Sequence, residues 1–291
     1  MTEGLLVIDK PAGMTSHDVV DRVRTAFGTT KVGHAGTLDP DATGVLLIGV
    51  GWATRFLSYA QSAPKSYRAI ASFGTTTTTQ DASGETLRER LVAFTRPHLD
   101  EVVAGFVGDI EQTPPMVSAV KVAGQRLHKL ARMGKEVERK PRPLTIYEMK
   151  VVDADIDDRA QATLEIRCSA GTYVRTLIND IGEELGCGAH MKSLVRTEAG
   201  GFTLDQAVPL EGVSDDDMRP LIDTVKGLFN FEVEPDAAKL VKNGRPLNLF
   251  GTRLPGIEEG DHVAVSNDGR LLGVYMLKGE RLMPDRVMGV R

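Results

Sequence analysis

Near its start, the chain changes from a continuous apolar run to a helical repeat of apolar residues. The run at 4–9 ends in the turn sequence of residues 10–13, which predicts a buried strand followed by a turn. Apolar residues then recur at helical spacing between Thr15 and Gly28, and Asp18 forms a capping-box variant with Thr15. The sequence therefore predicts a strand, a turn and a helix in that order.

The rest of the chain mixes the two periods without a regular βαβ rhythm. We expect strands at 45–50, 66–73 and 162–168, and helices at 98–107 and 173–185. The threonine-rich stretch at 75–90 is typical of a strand edge and a turn. This mixture predicts an α+β fold whose central sheet is mixed or antiparallel and is flanked by helices.

The last third of the chain differs in charge and in pattern. Residues 205–235 are acidic and are interrupted by proline and glycine, which predicts a linker. Two short β runs follow at 262–265 and 271–276, and the Asp268-Gly269 pair between them is a hairpin signal. We therefore expect a small β-rich domain at the C-terminal end.

Composition restricts the class of protein. The chain has 291 residues, of which 41% are apolar and 26% are charged, as in an ordinary globular protein. No apolar run is long enough to cross a membrane, and the first residues lack the pattern of a secretory signal. Cys168 and Cys187 form no CxxC pattern and are expected to be free thiols. We therefore expect a cytoplasmic protein.

Charge is unevenly distributed, although the net charge is only −5. From Lys121 to Arg142 there are eight lysines or arginines against two glutamates. From Asp205 to Asp236 there are nine acids against two basic residues. A basic run of this kind forms either a solvated helical face or a local surface that binds phosphates. The charges alone leave both alternatives open.

One carboxylate stands out because of the loop that surrounds it. Asp39 lies in the segment Gly33–Gly44 (GHAGTLDPDATG), among glycines and small residues and directly before Pro40. Glycines allow a ligand to approach the backbone closely, and a following proline favours an extended conformation at Asp39. The residues allow two interpretations, which are a tight structural turn and an acid positioned for chemistry.

Two further segments set polar side chains among small residues. Tyr67 lies between Lys65 and Arg68 at the start of a predicted strand, and Tyr173 precedes Arg175 by two positions. An arginine is a natural partner for a buried carboxylate and would lower its pKa. A tyrosine beside basic residues suits stacking on an unpaired nucleobase. The alternative at each tyrosine is a half-buried core side chain.

Other chemistries lack their residue patterns. The six histidines show no metal-ligand spacing with either cysteine, and neither a phosphate-binding P-loop nor a G-x-S-x-G motif is present. A typical glycosidase needs two working carboxylates, but Asp41 would point away from Asp39 in an extended segment. The residues alone therefore show no pattern typical of a metal site.

Six segments, in chain order, are similar to motifs of one known family. They are residues 4–16, 31–44, 65–67, 112–121, 171–175 and 194–197. The family is that of the bacterial tRNA pseudouridine-55 synthases, the TruB type. The segments extend over most of residues 4–204, and their combination is far more specific than any one of them.

The resemblance implies an isomerase that converts uridine 55 in the T loop of tRNA to pseudouridine without a cofactor. Asp39 matches the catalytic aspartate, and Arg175 matches the arginine paired with it. Tyr67 matches the tyrosine that stacks on the target base, and Tyr173 matches an active-site tyrosine that is a candidate for proton transfer. Whether Asp39 attacks the ribose C1′, attacks the base or assists a glycal-like route stays open.

The resemblance also implies supporting roles. Leu194 would form a wall of the pocket, His34 would occupy space vacated by flipped nucleotides, and Lys10 would support the site from the first motif. Arg196 is a candidate RNA contact. The family commonly carries two arginines after the leucine, whereas this chain has Val195 and Arg196, so one phosphate contact is expected to be lost.

The resemblance implies two domains and a mobile arm. A catalytic domain would span 1–228, with a basic RNA-binding arm at 121–143 that includes Lys129 and Arg132. A small PUA-like domain, as short as in actinobacterial members, would span 229–291. We expect a monomer whose partner is the T-arm stem-loop of tRNA and which does not bind membranes.

Two other functions compete with this interpretation. The first is an RNA-binding or tRNA-folding protein in which catalysis is incidental or lost. The second is a carboxylate-dependent hydrolase of nucleosides or sugars, which would release a free base. Substitution of Asp39 and analysis of the reaction product distinguish these alternatives.

Overall fold

The computed structural model describes residues 3–116 and 137–289, together with the backbone of 121–122 and 125–126. Among these residues, the helices are α1 (Ser16–Phe27), α2 (Leu57–Ser62), α3 (Arg96–Gly105), α4 (Val174–Glu184) and α5 (Pro235–Lys242). The strands are β1 (Gly4–Lys10), β2 (Val32–His34), β3 (Thr43–Val50), β4 (Lys65–Phe73), β5 (Thr75–Thr77), β6 (Thr86–Glu89), β7 (Gly108–Gln112), β8 (Lys121–Val122), β9 (Gln125–Arg126), β10 (Arg142–Asp155), β11 (Gln161–Cys168), β12 (Ala189–Ala199), β13 (Phe202–Thr203), β14 (Val208–Pro209), β15 (Phe229–Glu232), β16 (Leu247–Asn248), β17 (His262–Asn267), β18 (Arg270–Lys278) and β19 (Arg281–Val287).

The chain forms two compact units, and both ends of the sequence belong to the same one. The N/C unit comprises residues 1–40, 44–63 and 199–291, and the middle unit comprises 41–43 and 64–198. The C-terminal strands therefore share a unit with the N-terminal strand and helix. The domain boundary that we expect between 228 and 229 stays a prediction.

In the N/C unit, β1 lies between two partners. It pairs antiparallel with β3, from Gly4 opposite Val50 to Lys10 opposite Gly44, and parallel with β14. β2 pairs antiparallel with the other end of β3, where His34 lies opposite Ile48. The glycine-rich segment between β2 and β3, which contains Asp39, is thus a loop anchored at both ends by one sheet.

Helix α1 covers this sheet because its apolar residues lie on one face. It begins at a capping box in which Thr15 and Asp18 bond each other's backbone, and it ends at Gly28, whose φ of 58° is left-handed. Its buried valines pack against Leu6 and Ile8 of β1. This packing fixes the start of α1, which directly follows the turn after β1, against the strand that carries Lys10.

The C-terminal part of the N/C unit is a separate five-stranded sheet in the order β15-β17-β18-β19-β16. Helix α5 packs on it, and their shared core includes Val241, Val263 and Tyr275. The β17–β18 hairpin turns at Asp268 and Gly269, whose φ angles are 50° and 68°. Both angles are positive, as a two-residue hairpin turn requires.

In the middle unit, the strands lie in the order β12-β4-β11-β10-β7. The pairs β4–β11, β11–β10 and β10–β7 are antiparallel. Helix α3 packs on β10, and α4 contacts both β4 and α3. Along β4 the buried positions alternate, so that Lys65, Tyr67 and Ala69 share the inner face. A strand therefore presents a lysine and a tyrosine on the same side.

The predicted elements are confirmed except in one region. The expected strands correspond to β1, β3, β4 and β11, the expected helices to α1, α3 and α4, and the C-terminal hairpin to β17–β18, with ends shifted by a few residues. The α+β class is also confirmed. The linker predicted at 205–235 is wrong, because Leu210 and Val225 are buried in two apolar clusters of the N/C unit. Its prolines and glycines shape turns and short 3-10 helices instead of a flexible segment.

Two helical glycines of the middle unit should respond oppositely to the same substitution. A Cβ on Gly182 in α4 would overlap the backbone of Gly188 and Ala189 and lie 2.5 Å from Ala189 Cβ. We expect Gly182→Ala to lower the free energy of unfolding by about 2–4 kcal/mol through this overpacking. Urea unfolding followed by circular dichroism measures the change.

Gly105→Ala is the matched control. Gly105 ends α3, and a Cβ there would meet no atom within 4 Å. This variant should keep the wild-type stability or gain up to about 1 kcal/mol, because alanine restricts the unfolded chain. Equal effects of the two substitutions would contradict the packing of α4 against the 188–189 turn.

Candidate active site

The backbone beside Asp39 is held by a buried ammonium group. Lys10, the last residue of β1, is completely buried. Its Nζ donates hydrogen bonds to the carbonyl oxygens of Pro11 (2.8 Å), Met14 (2.6 Å) and Pro40 (2.9 Å). An ammonium has three protons to donate, and three carbonyls receive them here. The residue that follows Asp39 is thereby fixed to the end of β1.

A second set of bonds holds the residue before Asp39. The buried Ser16 Oγ accepts a hydrogen bond from Leu38 N (2.8 Å) and donates one to Leu38 O (3.2 Å). Gly13 N adds a bond to Pro40 O (3.0 Å). The segment 10–16 thus binds the chain on both sides of Asp39. Asp39 itself is only partly buried, so its position is fixed by its neighbours.

Tyr173 is positioned through its backbone. It is the residue before α4, and its amide donates to Gln112 Oε1 (2.8 Å) while its carbonyl accepts from Gln112 Nε2 (3.1 Å). Gln112 is 2% exposed. A buried carboxamide that bonds both backbone atoms of one residue leaves that residue little freedom. Gln112 therefore orients Tyr173 and the start of α4.

Arg175 lies in the first turn of α4 and is buried. Its Nη1 donates to Asp81 Oδ2 (3.1 Å) and to the Thr79 carbonyl (3.2 Å). Asp81 belongs to the turn between β5 and β6. A guanidinium has five N–H groups in a rigid fork, so bonds at one nitrogen set the direction of the whole group. The β5–β6 turn therefore aims the Arg175 side chain.

Asp81 is kept ionised by its surroundings. Burial by itself would raise the pKa of its carboxyl group. The hydrogen bonds from Ser83 and Thr79 and the charge of Arg175 outweigh this effect and lower the pKa below its usual value. Thr79 Oγ1 and Ser83 Oγ both donate to Oδ1 at 2.6 Å. The carboxylate that holds Arg175 is therefore itself held in place.

Tyr67 lies next to two buried cations of the middle unit. Arg196, on β12, is 1% exposed and hydrogen-bonds the Tyr67 hydroxyl. Lys65, two residues before Tyr67 on the same face of β4, is 5% exposed. Burial lowers the pKa of Lys65 to about 8, and the neighbouring charge of Arg196 adds to this. Burial lowers the pKa of Arg196 as well. Strands β4 and β12 thus place two buried basic side chains beside Tyr67.

The remaining predicted residues have different placements. Leu194 is buried on β12, and His34 is partly buried on β2. Lys129 and Arg132 of the predicted basic arm lie outside the described residues. Each unit therefore supplies its own part of the predicted set, with Lys10, His34 and Asp39 in the N/C unit.

The sequence did not reveal Asp81 as the partner of Arg175, nor Gln112 as the residue that orients Tyr173. Asp81 follows a run of threonines, which predicts a turn but not the long-range ion pair. Gln112 lies 61 residues from Tyr173. Among the described residues, no group of histidines, cysteines and acids could hold a metal ion, and no helix is long and apolar enough to span a membrane.

The buried Lys65 makes a prediction about the pH dependence of stability. Its pKa is about 8 in the folded protein and near its ordinary value of 10.5 in the unfolded chain. Between these values the unfolded chain binds a proton that the folded protein does not, so the stability of the wild type rises with pH. Between pH 7 and 10.5, we expect the free energy of unfolding of the wild type to rise by up to about 3 kcal/mol relative to that of Lys65→Met.

Urea unfolding of both proteins at a series of pH values measures this difference. Lys31→Met is the matched control, because the side chain of Lys31 is exposed. If the difference in free energy of unfolding between wild type and Lys65→Met stayed constant over the pH range, the burial of Lys65 would not disfavour its charged form, and the lowered pKa would be wrong.

Comparison with known proteins identifies the family. The profile of the TruB family pseudouridylate synthase N-terminal domain matches residues 24–174, which is more than half of the chain. The profile of the tRNA pseudouridylate synthase B C-terminal domain matches residues 175–223. The two matches cover Asp39, Tyr67, Tyr173 and Arg175.

Individual relatives agree with these profiles. The tRNA pseudouridine synthase B of Mycobacteroides abscessus is 44% identical over 96% of this chain and 93% of its own length. That of Cupriavidus metallidurans is 42% identical over 98% of this chain and 94% of its own length. A chain in the crystal structure of a Cbf5–Nop10–Gar1 complex is 26% identical with a TM-score of 0.78, and the match covers 98% of this chain and 85% of that one. The resemblance seen in the sequence motifs is confirmed, and the chain belongs to the TruB family of pseudouridylate synthases.

Proposed function

We propose that this protein isomerises uridine 55 in the T loop of tRNA to pseudouridine, with Asp39 as the catalytic carboxylate. The observation that carries the proposal is the fixation of the backbone on both sides of Asp39 by Lys10, Ser16 and Gly13. A catalytic group needs a fixed position, because a misplacement of about 1 Å can lower the rate about a hundredfold.

The reaction needs one carboxylate and no redox partner. The bond between N1 of the uracil and C1′ of the ribose breaks, the base rotates, and C5 bonds to C1′. The proton on C5 leaves and N1 gains one, so the atoms and electrons of the nucleotide balance. Asp39 acts on C1′ or on the base, or assists loss of the base through a glycal-like intermediate, and each route uses its ionised form.

Arg175 is proposed to keep Asp39 ionised and in place. An arginine beside a carboxylate lowers its pKa, and a guanidinium has enough N–H groups to serve more than one carboxylate. The bonds of Arg175 to Asp81 and Thr79 support this role, because they fix the guanidinium before any substrate arrives. A prepositioned charge loses no energy in reorganising during the reaction.

The two tyrosines are proposed to stack on the target base and to transfer its proton. A base in a folded RNA loop must leave its stack before it can react, which costs a few kcal/mol. Stacking on an aromatic ring is worth about 1–3 kcal/mol, and Tyr67 is proposed to supply it. Arg196 supports this role by holding the Tyr67 hydroxyl. Tyr173, oriented by Gln112, is proposed to move the proton between C5 and solvent.

The T-arm stem-loop of tRNA is proposed as the ligand. His34 and Leu194 are proposed to fill the space around the flipped nucleotides. The basic arm at 121–143, with Lys129 and Arg132, is proposed to close over the RNA, since phosphate contacts of lysine and arginine dominate the affinity for nucleic acids. RNA loops are recognised through splayed bases and shape, which suits this set of contacts.

We further propose that the protein acts as a monomer in the cytoplasm. Cys168 and Cys187 are free and buried, as is typical of proteins in a reducing compartment. The proposed substrate, tRNA, is found in the same compartment.

Asp39→Asn tests the catalytic assignment. We expect release of tritium from 5-tritiated uridine in tRNA to fall by at least about a thousandfold, because the amide cannot act as a nucleophile or base. The affinity for tRNA should stay close to that of the wild type. Wild-type tritium release by this variant would show that Asp39 is not the catalytic group and would favour an RNA-folding function.

Asp41→Asn is the matched control, because Asp41 is an exposed carboxylate two residues further along the same loop. We expect it to retain activity.

Mass spectrometry of the tRNA product separates isomerisation from hydrolysis, since an isomerase leaves the mass of the RNA unchanged and a hydrolase releases free uracil.

A further inference from the structure

The middle unit contains a polar cleft that Asp39, Tyr67, Tyr173 and Arg175 do not line. Its volume is about 530 Å³. It lies between the β5–β6 hairpin, the outer part of α4 and the residues that flank 117–136. The cleft is lined by hydroxyl, amide and guanidinium groups and a few apolar side chains, namely Thr76, Thr77, Thr78, Thr79, Gln80, Leu87, Arg88, Arg90, Pro115, Met116, Arg139, Asn179 and Glu183. We call it the threonine–arginine cleft.

The cleft shares its walls with the residues that hold Arg175. Thr79 accepts a hydrogen bond from Arg175 through its carbonyl, and Gln80 Oε1 accepts one from Thr176 Oγ1 at 2.8 Å. On α4, Asn179 and Glu183 follow Arg175 at intervals of four residues, which places all three on one helix face. A group bound in the cleft would therefore lie beside the arginine proposed to pair with Asp39.

The charges of the cleft are mainly positive. Its lining includes three arginines against one acid, Glu183, so its net charge is +2. Glu183 is engaged by Arg90 through two bonds of 2.8 and 3.1 Å. Arg88 is exposed on β6 and forms no ion pair with any residue in the described part of the chain. The guanidinium of Arg88 is therefore exposed and pairs with no acid among the described residues.

Arginine and hydroxyl groups are the side chains that most often contact the phosphates of nucleic acids. We propose that the threonine–arginine cleft binds a backbone phosphate of the substrate RNA near the target nucleotide, with Arg88 as its main contact. The proposal rests on the proposed function, because it takes the bound RNA to be the substrate of the site that contains Arg175. This phosphate contact fixes the RNA without reading its sequence.

Arg88→Gln tests the proposal through the salt dependence of tRNA binding. Each phosphate contact releases counterions, so its loss should reduce the slope of log affinity against log salt by about 1. We expect the Kd for tRNA to rise severalfold at low salt while tritium release at saturating tRNA stays near that of the wild type. Arg88→Lys, which keeps the charge, should retain most of the slope.

Arg68→Gln is the matched control. Arg68 is an exposed arginine of the middle unit that pairs with Glu165 at 2.7 Å and lies outside the cleft. Its substitution removes the same charge, and we expect the wild-type slope. Equal slopes for Arg88→Gln and wild type, or equal losses for Arg88→Gln and Arg68→Gln, would overturn the cleft proposal.

The outcomes for the two proposals are distinguishable. If wild type released tritium normally and Arg88→Gln bound tRNA with an unchanged slope, the cleft proposal would fail and the proposed function would stand. If wild type released no tritium, the proposed function would fail, and the binding slopes of the two variants would still decide whether the cleft contacts RNA.

Discussion

The candidate site depends first on the buried ammonium of Lys10. A charge removed from water is costly unless hydrogen bonds replace its hydration, and three carbonyl oxygens do so here. The carbonyls of Pro11 and Met14 belong to the turn between β1 and α1, and that of Pro40, 30 residues from Lys10, belongs to the Asp39 loop. One side chain therefore joins this turn to the Asp39 loop. Loss of the amine would leave all three carbonyls without this donor at once.

In the middle unit, a neutral and an acidic side chain hold residues of the candidate site in a similar way. Gln112 fixes the backbone at Tyr173, and Asp81 fixes the guanidinium of Arg175. In each case a polar side chain from a distant segment holds a residue of the proposed active site. Networks of this kind stabilise only when every member is satisfied, which makes them rigid. Rigid placement is what a reaction with a single carboxylate requires.

Much of the fold follows from local sequence signals, whereas the support of the site does not. The apolar period and the Thr15–Asp18 capping box predict β1 and α1, and the Asp-Gly pair predicts the C-terminal hairpin. Asp39 stands out because glycines and other small residues surround it in the sequence. Asp81 and Gln112 could not be assigned, since their partners lie 94 and 61 residues away and no local pattern encodes such pairs. The acidic segment at 205–235 is misleading for a similar reason, because its burial depends on strands elsewhere in the chain.

The role of Lys10 in holding the Asp39 loop is tested most directly by amide hydrogen exchange in Lys10→Met. The amides of Gly13 and Leu38 donate to Pro40 O and Ser16 Oγ, and both bonds belong to the fixation of the Asp39 loop. We predict that these two amides exchange at least about tenfold faster in the variant, because the loop opens locally. The amide of Leu177 in α4 should exchange at the wild-type rate. Unchanged exchange at Gly13 and Leu38 would contradict the claim that Lys10 holds the Asp39 loop in place.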